Sequence, residues 1–278
     1  MGIVAAIQMN SSHLVADNLA AAGRLLRVAR DAGADIACLP ENFAFMGIRD
    51  ADKRDVAEGD GVGPIQDFLS STARSLGLWI LAGTIGIKSS PQSRVANSSL
   101  LFDAGGRRVA RYDKIHLFDV TIPGRDEEYR ESTHVEPGRI VTLADTPVGK
   151  LGLSVCYDMR FPELYRALSA GGAQWFAMPA AFTVPTGRAH WETLLRARAI
   201  ENLCYVVAPA QVGTHSNGRE TYGDSLIADF WGKVLARLPD GEGVITSAID
   251  LAEQAKTRER FPALNNRRLS ADAMTVSA

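Results

Sequence analysis

Cysteine is scarce in this sequence, and its spacing excludes the usual cysteine frameworks. The 278 residues contain three cysteines, Cys38, Cys156 and Cys204, with no C-x-x-C pair among them. An odd number without paired spacing argues against both a disulfide framework and a zinc knuckle. This cysteine usage predicts a protein of a reducing compartment.

Long apolar runs and an excess of one charge are also lacking. No run approaches the roughly 20 apolar residues needed to cross a bilayer, and the opening residues, MGIVAAIQMN, lack the basic segment of a signal peptide. A net charge of −2 gives no electrostatic reason to expect a nucleic-acid or anionic-membrane partner. We therefore expect a soluble, cytoplasmic protein with neither kind of partner.

The motifs of common cofactor and metal sites are missing as well. There is no G-x-G-x-x-G or Walker A sequence after a strand, no H-E-x-x-H and no EF-hand loop. The five histidines are dispersed: His13, His116, His134, His190 and His215. GLSVC nearly matches the G-x-S-x-G nucleophile elbow, but Cys156 stands in the second glycine position. The sequence predicts neither a metal nor a cofactor.

Apolar strands and helical periodicity share the chain, with no Pro/Gly/Ser linker and no repeat. The predicted strands are 3–9, 35–40, 78–86, 97–103, 107–113, 150–155, 174–179, 204–211, 224–229, 233–238 and 244–250. The predicted helices are 16–32, 64–76, 161–170, 189–202 and about 251–260. Since some neighbouring strands have no helix between them, we expect one α/β domain with a mixed sheet, or two sheets with helices outside.

Two segments lack such a pattern. Residues 119–138 show no clear period, and a loop of that length inside a compact domain is usually functional or mobile. The tail from Pro262 has no core pattern, so a disordered tail and an arm onto a partner subunit both stay open.

The tryptophans Trp79, Trp175 and Trp231 are predicted to be core residues, and Trp191 to be a packing residue at a helix start.

Three residues of reactive type each follow a predicted strand. Glu41, Lys114 and Cys156 lie just past the carboxyl ends of their strands, the edge at which ligands bind in α/β sheets. A carboxylate, an ammonium and a thiol brought together there form a coherent set for acyl transfer. Taken singly, a cysteine at a strand end is usually structural, as Cys38 and Cys204 are expected to be.

The chemistry of this set can be stated from the residue types. Glu41 would take the thiol proton of Cys156 as general base, and the Lys114 charge would favour the thiolate. Attack on an amide carbonyl creates an oxyanion, which Lys114 and the backbone N–H of Tyr157 would hold. Glu41 would then protonate the departing amine and activate water against the thioester.

The segments around these residues resemble a known family. LPENF, YDKIHLFD and GLSVCYDMRFPELYR are similar to the three signature segments of the nitrilase superfamily, the carbon–nitrogen hydrolases, and the resemblance covers nearly the whole chain. It implies a Glu–Lys–Cys triad at Glu41, Lys114 and Cys156. It also implies a four-layer α-β-β-α sandwich over residues 1–261, followed by the tail 262–278, and a homodimer or higher homo-oligomer.

The resemblance also implies a second glutamate between the lysine and the cysteine. It maps to Glu131, although Glu127 and Glu128 lie close enough to be confused with it. CYDMRFPEL and GRAHWETLLRARAIE are most similar to the branch that contains deaminated glutathione amidase and omega-amidase. The expected reaction is hydrolysis of a small carboxylate-bearing amide to an acid and an amine or ammonia, with deaminated glutathione as the expected substrate and metabolite repair as the role.

Further residues receive supporting roles. Phe182 and Thr183 follow a strand end and are predicted to form the substrate wall, and Arg188 is predicted to meet a substrate carboxylate or to be solvated. The predicted braces of the elbow, through ion pairs, are Asp158, Arg160 and Glu163.

Other functions stay open at this point. Within the same chemistry, the substrate would be 2-oxoglutaramate or an N-carbamoyl amine. A catalytically idle nitrilase-like binding subunit would lack a triad member, and all three are present. A metal hydrolase lacks a ligand cluster.

Overall fold

The computed structural model describes residues 1–89, 94–122 and 127–268. In chain order its strands are β1 Gly2–Gln8, β2 Ile36–Cys38, β3 Trp79–Leu81, β4 Ile85–Lys88, β5 Val95–Phe102, β6 Arg108–Asp113, β7 Asp119–Thr121, β8 Glu128–Arg130, β9 Val135–Glu136, β10 Leu143–Thr146, β11 Gly149–Leu153, β12 Trp175–Ala177, β13 Tyr205–Ala208, β14 Val212–Thr214, β15 Glu220–Tyr222, β16 Ser225–Ala228, β17 Val234–Leu238 and β18 Gly243–Ile249. The helices are α1 Val15–Asp31, α2 Pro64–Leu76, α3 Pro162–Ala170, α4 Val184–Asn202 and α5 Leu251–Arg260, with 3₁₀ helices at Asp50–Arg54, Glu131–Thr133 and Cys156–Arg160.

Most strands belong to two mixed sheets. The first has the order β18-β1-β2-β3-β5-β4, with β6 and β9 also paired to β5. The second has the order β10-β11-β12-β13-β16-β17. β1, β2 and β3 run parallel in the first sheet, as do β11, β12 and β13 in the second. The carboxyl ends of β2, β11 and β12 carry several of the segments that form the candidate site.

Alternate residues of β1 show how the layers stack. Val4 and Ala6 belong to the buried cluster that includes the second sheet, whereas Ala5 and Ile7 belong to the cluster that includes α1 and α2. Successive side chains of a strand point to opposite faces. The first sheet is therefore covered by helices on one face and by the second sheet on the other, and α3 and α4 cover the outer face of the second sheet. This is the predicted four-layer α-β-β-α sandwich, in one domain.

Helix ends follow ordinary local rules. α2 begins with Pro64, whose missing N–H costs nothing at the first helical position, and it ends at Gly77, which adopts a left-handed φ of 59°. The helix that the sequence predicts over residues 64–76 is thus confirmed. α4 begins at Val184, five residues before its predicted start, because Pro185 in the first turn begins a helix rather than interrupting it.

Two sequence predictions differ from the structure, and a third lies largely outside the described residues. The predicted strand 78–86 is divided into β3 and β4, with Gly83 between them at a φ of 49°. Residues 119–138 contain β7, β8, a 3₁₀ turn and β9, whose residues are too few to show a period; 123–126 lie outside the described residues. The tail prediction is described only for 262–268, which form exposed turns.

The tryptophans divide between core and surface. Trp175 and Trp191 are fully buried and Trp79 is half-buried against the core. The core prediction for Trp231 is wrong: 57% of it is exposed, in the turn between β16 and β17, where it packs edge-on against Phe261. No helix in the described part of the chain is long and apolar enough to cross a membrane.

Candidate active site

Glu41 lies at the carboxyl end of β2 with its carboxylate almost fully buried. Oε1 accepts hydrogen bonds from Nζ of Lys114 at 3.0 Å and from Nδ2 of Asn97 at 3.1 Å. Oε2 accepts one from the backbone N–H of Ala181 at 3.0 Å. Three donors from three different segments therefore fix the orientation of this carboxylate.

A close backbone approach positions the segment before Glu41. A Cβ atom added to Gly83 would lie 1.9 Å from the carbonyl oxygen of Pro40. Only glycine allows this approach, and its left-handed φ of 49° is also one that side chains disfavour. The turn after β3 can therefore press against the residue that precedes Glu41.

Lys114 follows β6, and only 2% of its side chain is exposed. Its Nζ lies 3.0 Å from Glu41 and 2.8 Å from Oε2 of Glu131. Burial alone would lower the pKa of Lys114, but the negative charges of Glu131 and Glu41 outweigh it and raise that pKa well above its ordinary value. Lys114 is therefore a fixed ammonium between two carboxylates.

Glu131 is the glutamate that the structure brings to the lysine. Its Oε2 accepts from Lys114 and, at 2.8 Å, from the backbone N–H of Phe118, and its Oε1 accepts from Asn97 at 3.3 Å. Burial opposes its ionisation, but the charges of Lys114 and Lys53 and these hydrogen bonds lower the pKa of Glu131 to about 2.

The two neighbouring acids have other partners. Glu128 is exposed and forms an ion pair with Arg130 at 2.5 Å, and Glu127 accepts from the Tyr129 hydroxyl at 3.1 Å. The geometry thus distinguishes Glu131 from the two alternatives that spacing left open.

Cys156 begins the 3₁₀ helix after β11 and has a left-handed φ of 49°. This conformation is uncommon for a residue with a side chain and marks a sharp turn. Its thiol contacts the Glu41 carboxylate and the backbone N–H of Ala181. Burial and the charge of Glu41 raise the pKa of Cys156, although the charge of Lys114 opposes them. The free thiol is therefore protonated, next to a carboxylate that can accept its proton.

The elbow also presents a backbone donor. Within the described ranges, the N–H of Tyr157 has no acceptor in the protein, whereas the N–H of Cys156 donates to the Pro179 carbonyl at 2.9 Å. Tyr157 lines the same cavity as Cys156. Its N–H and the Lys114 ammonium are the two donors that can face an oxygen bound at the thiol.

Asp158 braces this elbow from the protein interior. Its Oδ2 accepts from the backbone N–H of Val155 at 2.8 Å and from the Tyr112 hydroxyl at 2.7 Å. Its Oδ1 lies 3.0 Å from the backbone nitrogen of His116 and 2.7 Å from Nδ1 of the same residue. The carboxylate is completely buried, so these contacts tie the turn to the segment that follows β6.

The ion pairs predicted for the other two braces are absent from the described part of the chain. Arg160 lies instead over the rings of Phe182, at 5.2 Å, and Tyr157, at 5.8 Å. Glu163 is exposed in the first turn of α3, where the positive end of the helix dipole stabilises its negative charge.

A cavity of about 630 Å³ opens above Cys156. Phe182 and Thr183 both line it, and their role as a substrate wall stays a prediction. Arg188 does not: it is exposed on α4 outside the cavity, as in the solvated alternative of its prediction. Thr186 faces the cavity, and a residue two positions further is rotated by about 200° around a helix.

The sequence reasoning missed three residues at the site. Lys53 and Arg219 line the cavity and supply the cations that Arg188 does not. Asn97 donates to both Glu41 and Glu131 from within β5, a strand whose eight residues are all buried. The run NSS in that apolar strand was the available signal, because buried polar side chains require partners.

No group of three or more His, Cys, Asp or Glu residues in the described part of the chain is arranged to hold a metal ion. Cys38 and Cys204 are fully buried and lie outside the cavity.

Comparison with known proteins places this chain in a family. The carbon–nitrogen hydrolase family model matches residues 3–259. The deaminated glutathione amidase of Yersinia enterocolitica is 43% identical over 267 residues, which cover 95% of this chain and 92% of that protein.

Solved structures have the same fold. The Caenorhabditis elegans NitFhit protein superposes with a TM-score of 0.90 and 38% identity over 99% of this chain, and the chain spans 66% of that longer protein. Saccharomyces cerevisiae Nit3, a member of the nitrilase superfamily, superposes with a TM-score of 0.86 and 29% identity over 96% of this chain and 97% of its own. This chain is thus an enzyme of the carbon–nitrogen hydrolase family, within the nitrilase superfamily.

Proposed function

We propose that this enzyme is a cysteine-dependent amidase that hydrolyses a small carboxylate-bearing amide through a thioester on Cys156. The observation that carries the proposal is the convergence of the Cys156 thiol, the Glu41 carboxylate and the Lys114 ammonium on one cavity. Each comes from the end of a different strand, and together they supply a nucleophile, a base and a charge for an oxyanion.

The acylation step uses these groups in order. Glu41 takes the thiol proton while Sγ bonds to the amide carbon, and the carbonyl becomes an oxyanion. The Lys114 ammonium and the N–H of Tyr157 hold that oxygen, a type of contact that contributes about 10²–10³ in rate. As the C–N bond breaks, protonated Glu41 transfers its proton to the nitrogen. The amine leaves and the acyl group remains on Sγ.

Deacylation returns the enzyme to its starting state. Glu41 takes a proton from a water molecule, whose oxygen bonds to the thioester carbon. The second oxyanion collapses, the C–S bond breaks, and the sulfur regains the proton from Glu41. Glu131, hydrogen-bonded to Lys114, holds the ammonium in place through both steps.

The substrate that we propose is deaminated glutathione, which gives a metabolite-repair role. The names of relatives about 40% identical over nearly the whole chain support it. So do two cavity cations, Lys53 and Arg219, that form no ion pair within the described ranges, since deaminated glutathione has a carboxylate at each end. An ω-amide such as 2-oxoglutaramate shares the acyl part and is the alternative.

The test is release of 2-oxoglutarate, the product of both amides, by the wild type and by Cys156→Ala. We expect release that depends on Cys156, with kcat/KM at least tenfold higher for deaminated glutathione, about 1.4 kcal/mol of discrimination. A preference for 2-oxoglutaramate would change the substrate and keep the mechanism. Absence of release from either by a folded wild type would refute the proposed substrate class, and an inert Cys156 thiol as well would indicate an idle binding subunit.

A further inference from the structure

Arg219 is held on a turn that is tied to the rest of the cavity. It precedes β15, and its backbone N–H donates to Oδ1 of Asn217 at 3.0 Å. Nδ2 of Asn217 donates in turn to the Gly47 carbonyl at 2.9 Å, and the backbone N–H of Tyr222 donates to Phe182 at 2.8 Å. The hairpin of β14 and β15 is thus fixed to the Phe182 wall and to the segment before the 3₁₀ helix Asp50–Arg54.

The Arg219 side chain faces the cavity and has no acidic partner among the described residues. Its guanidinium lies 4.8 Å from the centroid of the Tyr129 ring, and Nη2 donates to the Ala181 carbonyl at 3.2 Å. Its Nε is buried and has no acceptor within the described ranges. Asp50 lines the same cavity and is exposed, and it forms no ion pair with Arg219. A planar, positioned guanidinium with a free donor is the side chain that best matches a carboxylate.

Arg219 also stands where two cavities meet. An outer cleft of about 1100 Å³ shares Asp50, Tyr129 and Arg219 with the cavity above Cys156. Lys53 lines the inner cavity and not the outer cleft. Arg219 is therefore the cation that a ligand reaching from the thiol into the outer cleft would pass.

The order in which the two products leave indicates which part of the substrate lies in the inner cavity and which lies at the outer cleft. In the proposed function the amine departs while the acyl group still occupies the inner cavity on Cys156. The amine must therefore have its own way out, and the outer cleft, lined by exposed residues such as Asp50 and Glu220, provides it. The acyl part belongs in the inner cavity beside Lys53, and the amine part belongs at the cleft beside Arg219.

We propose that Arg219 binds a carboxylate on the leaving-group side of the amide, so that the enzyme prefers amides whose amine part is acidic. This inference rests on the proposed function and deepens it. It assigns one carboxylate of the substrate to one residue and distinguishes a peptide-like amine from ammonia.

The experiment compares three amides with the wild type, Arg219→Gln and Arg219→Lys. They are deaminated glutathione, its C-terminal carboxamide and 2-oxoglutaramate, whose leaving group is ammonia. We expect the wild type to prefer the acid to the carboxamide by about 10- to 100-fold in kcat/KM, the range for a charge-assisted contact. Arg219→Gln loses that factor on the acid alone, mainly through KM, and Arg219→Lys retains part of it. On 2-oxoglutaramate, Arg219→Gln stays within about twofold of the wild type.

Arg188→Gln is the matched control, because it removes a cation of the same type outside both cavities, and it should match the wild type on all three amides. Equal losses by Arg219→Gln on the acid and the carboxamide would make Arg219 a structural residue and overturn the inference, as would no loss at all. An equal loss on 2-oxoglutaramate would move its contact to the acyl side. If the wild type cleaves only deaminated glutathione and its carboxamide, the losses that Arg219→Gln causes on these two amides test the inference by themselves. A wild type inactive on all three would overturn the proposed function itself.

Discussion

Nζ of Lys114 lies 2.8 Å from Oε2 of Glu131, closer than the 3.0 Å that separates it from Oε1 of Glu41. The ammonium thus has a second carboxylate that does not contact the thiol. In the proposed mechanism Glu41 becomes protonated, and Glu131 would then still balance the charge of Lys114. An ion pair of this burial is costly to break from one side, since the remaining charge is left uncompensated.

The low pKa of Glu131 predicts acid sensitivity that depends on this residue. Its carboxyl has a pKa of about 2 in the folded protein against an ordinary value of 4.5. The unfolded chain therefore binds this proton at higher pH than the folded one, so the stabilisation is complete above about pH 4.5 and is lost as the pH falls towards 2. Urea unfolding of the wild type and of Glu131→Gln between pH 7 and about pH 2 measures this contribution to the free energy of unfolding. The variant should be less stable at pH 7 and lose less on acidification; parallel curves would contradict the prediction.

Alkylation should distinguish the three cysteines. Cys156 lines the cavity and is 7% exposed, whereas Cys38 and Cys204 are fully buried, and burial raises the pKa of Cys204 to about 12. Native protein treated with iodoacetamide should gain one adduct, on Cys156, and denatured protein should gain three. Peptide mass spectrometry locates the adducts. An adduct on Cys38 or Cys204 in the native protein would mean that the cavity does not determine which thiol iodoacetamide can reach.

Asp158→Asn should weaken both the fold and the reaction. The asparagine side chain would turn an amide towards donors that now meet a carboxylate, and leaving buried donors unpaired costs about 1–3 kcal/mol each. We expect a loss of about 2–4 kcal/mol in the free energy of unfolding. We also expect activity to fall tenfold or more, since the Cys156 turn loses its brace. Glu163→Gln is the control, because Glu163 is exposed and should change stability by less than about 0.5 kcal/mol. Equal effects of the two variants would argue against the bracing role.

Gly83→Ala should displace the segment that ends at Glu41. Its Cβ would lie 1.9 Å from the Pro40 carbonyl oxygen, whereas a Cβ on Gly77 meets nothing within 4 Å. Both glycines have a positive φ, so Gly77→Ala has the same backbone strain, about 1–2 kcal/mol, without the clash. Thermal unfolding and kcat/KM should show a larger loss for Gly83→Ala in both quantities. If the two variants behave alike, the close approach does not position Glu41.

Strand ends were the most informative signal in the sequence. Glu41, Lys114 and Cys156 each follow a strand, and the structure brings all three to one cavity. That they meet depends on two sheets facing one another, and no spacing along the chain encodes this. The nitrilase resemblance supplied it. Glu131 was mapped from the same resemblance, and its contact with Lys114 distinguishes it from its neighbours.

The remaining differences from the sequence predictions have separate physical causes. Arg188 is exposed outside the cavity because the face of a helix that a residue occupies depends on where the helix begins, and α4 begins earlier than the sequence predicts. Trp231, predicted to be a core residue, lies in a turn and packs at the surface against Phe261. Arg219 comes from a turn that reaches the cavity only through tertiary contacts, such as the hydrogen bond of Asn217 to Gly47.

The pairing of β1 with β18 sets when this protein can fold. Residues Gly2–Gln8 pair antiparallel with Gly243–Ile249, so β1 acquires this neighbour only after the residues up to Ile249 have been made. Contacts between residues so far apart in sequence slow folding, because a long loop must close before they form. A ribosome-bound chain that has not reached Gly243 presents β1 as an unpaired edge, which is a template for aggregation. Completion of the first sheet is therefore a late event in biosynthesis.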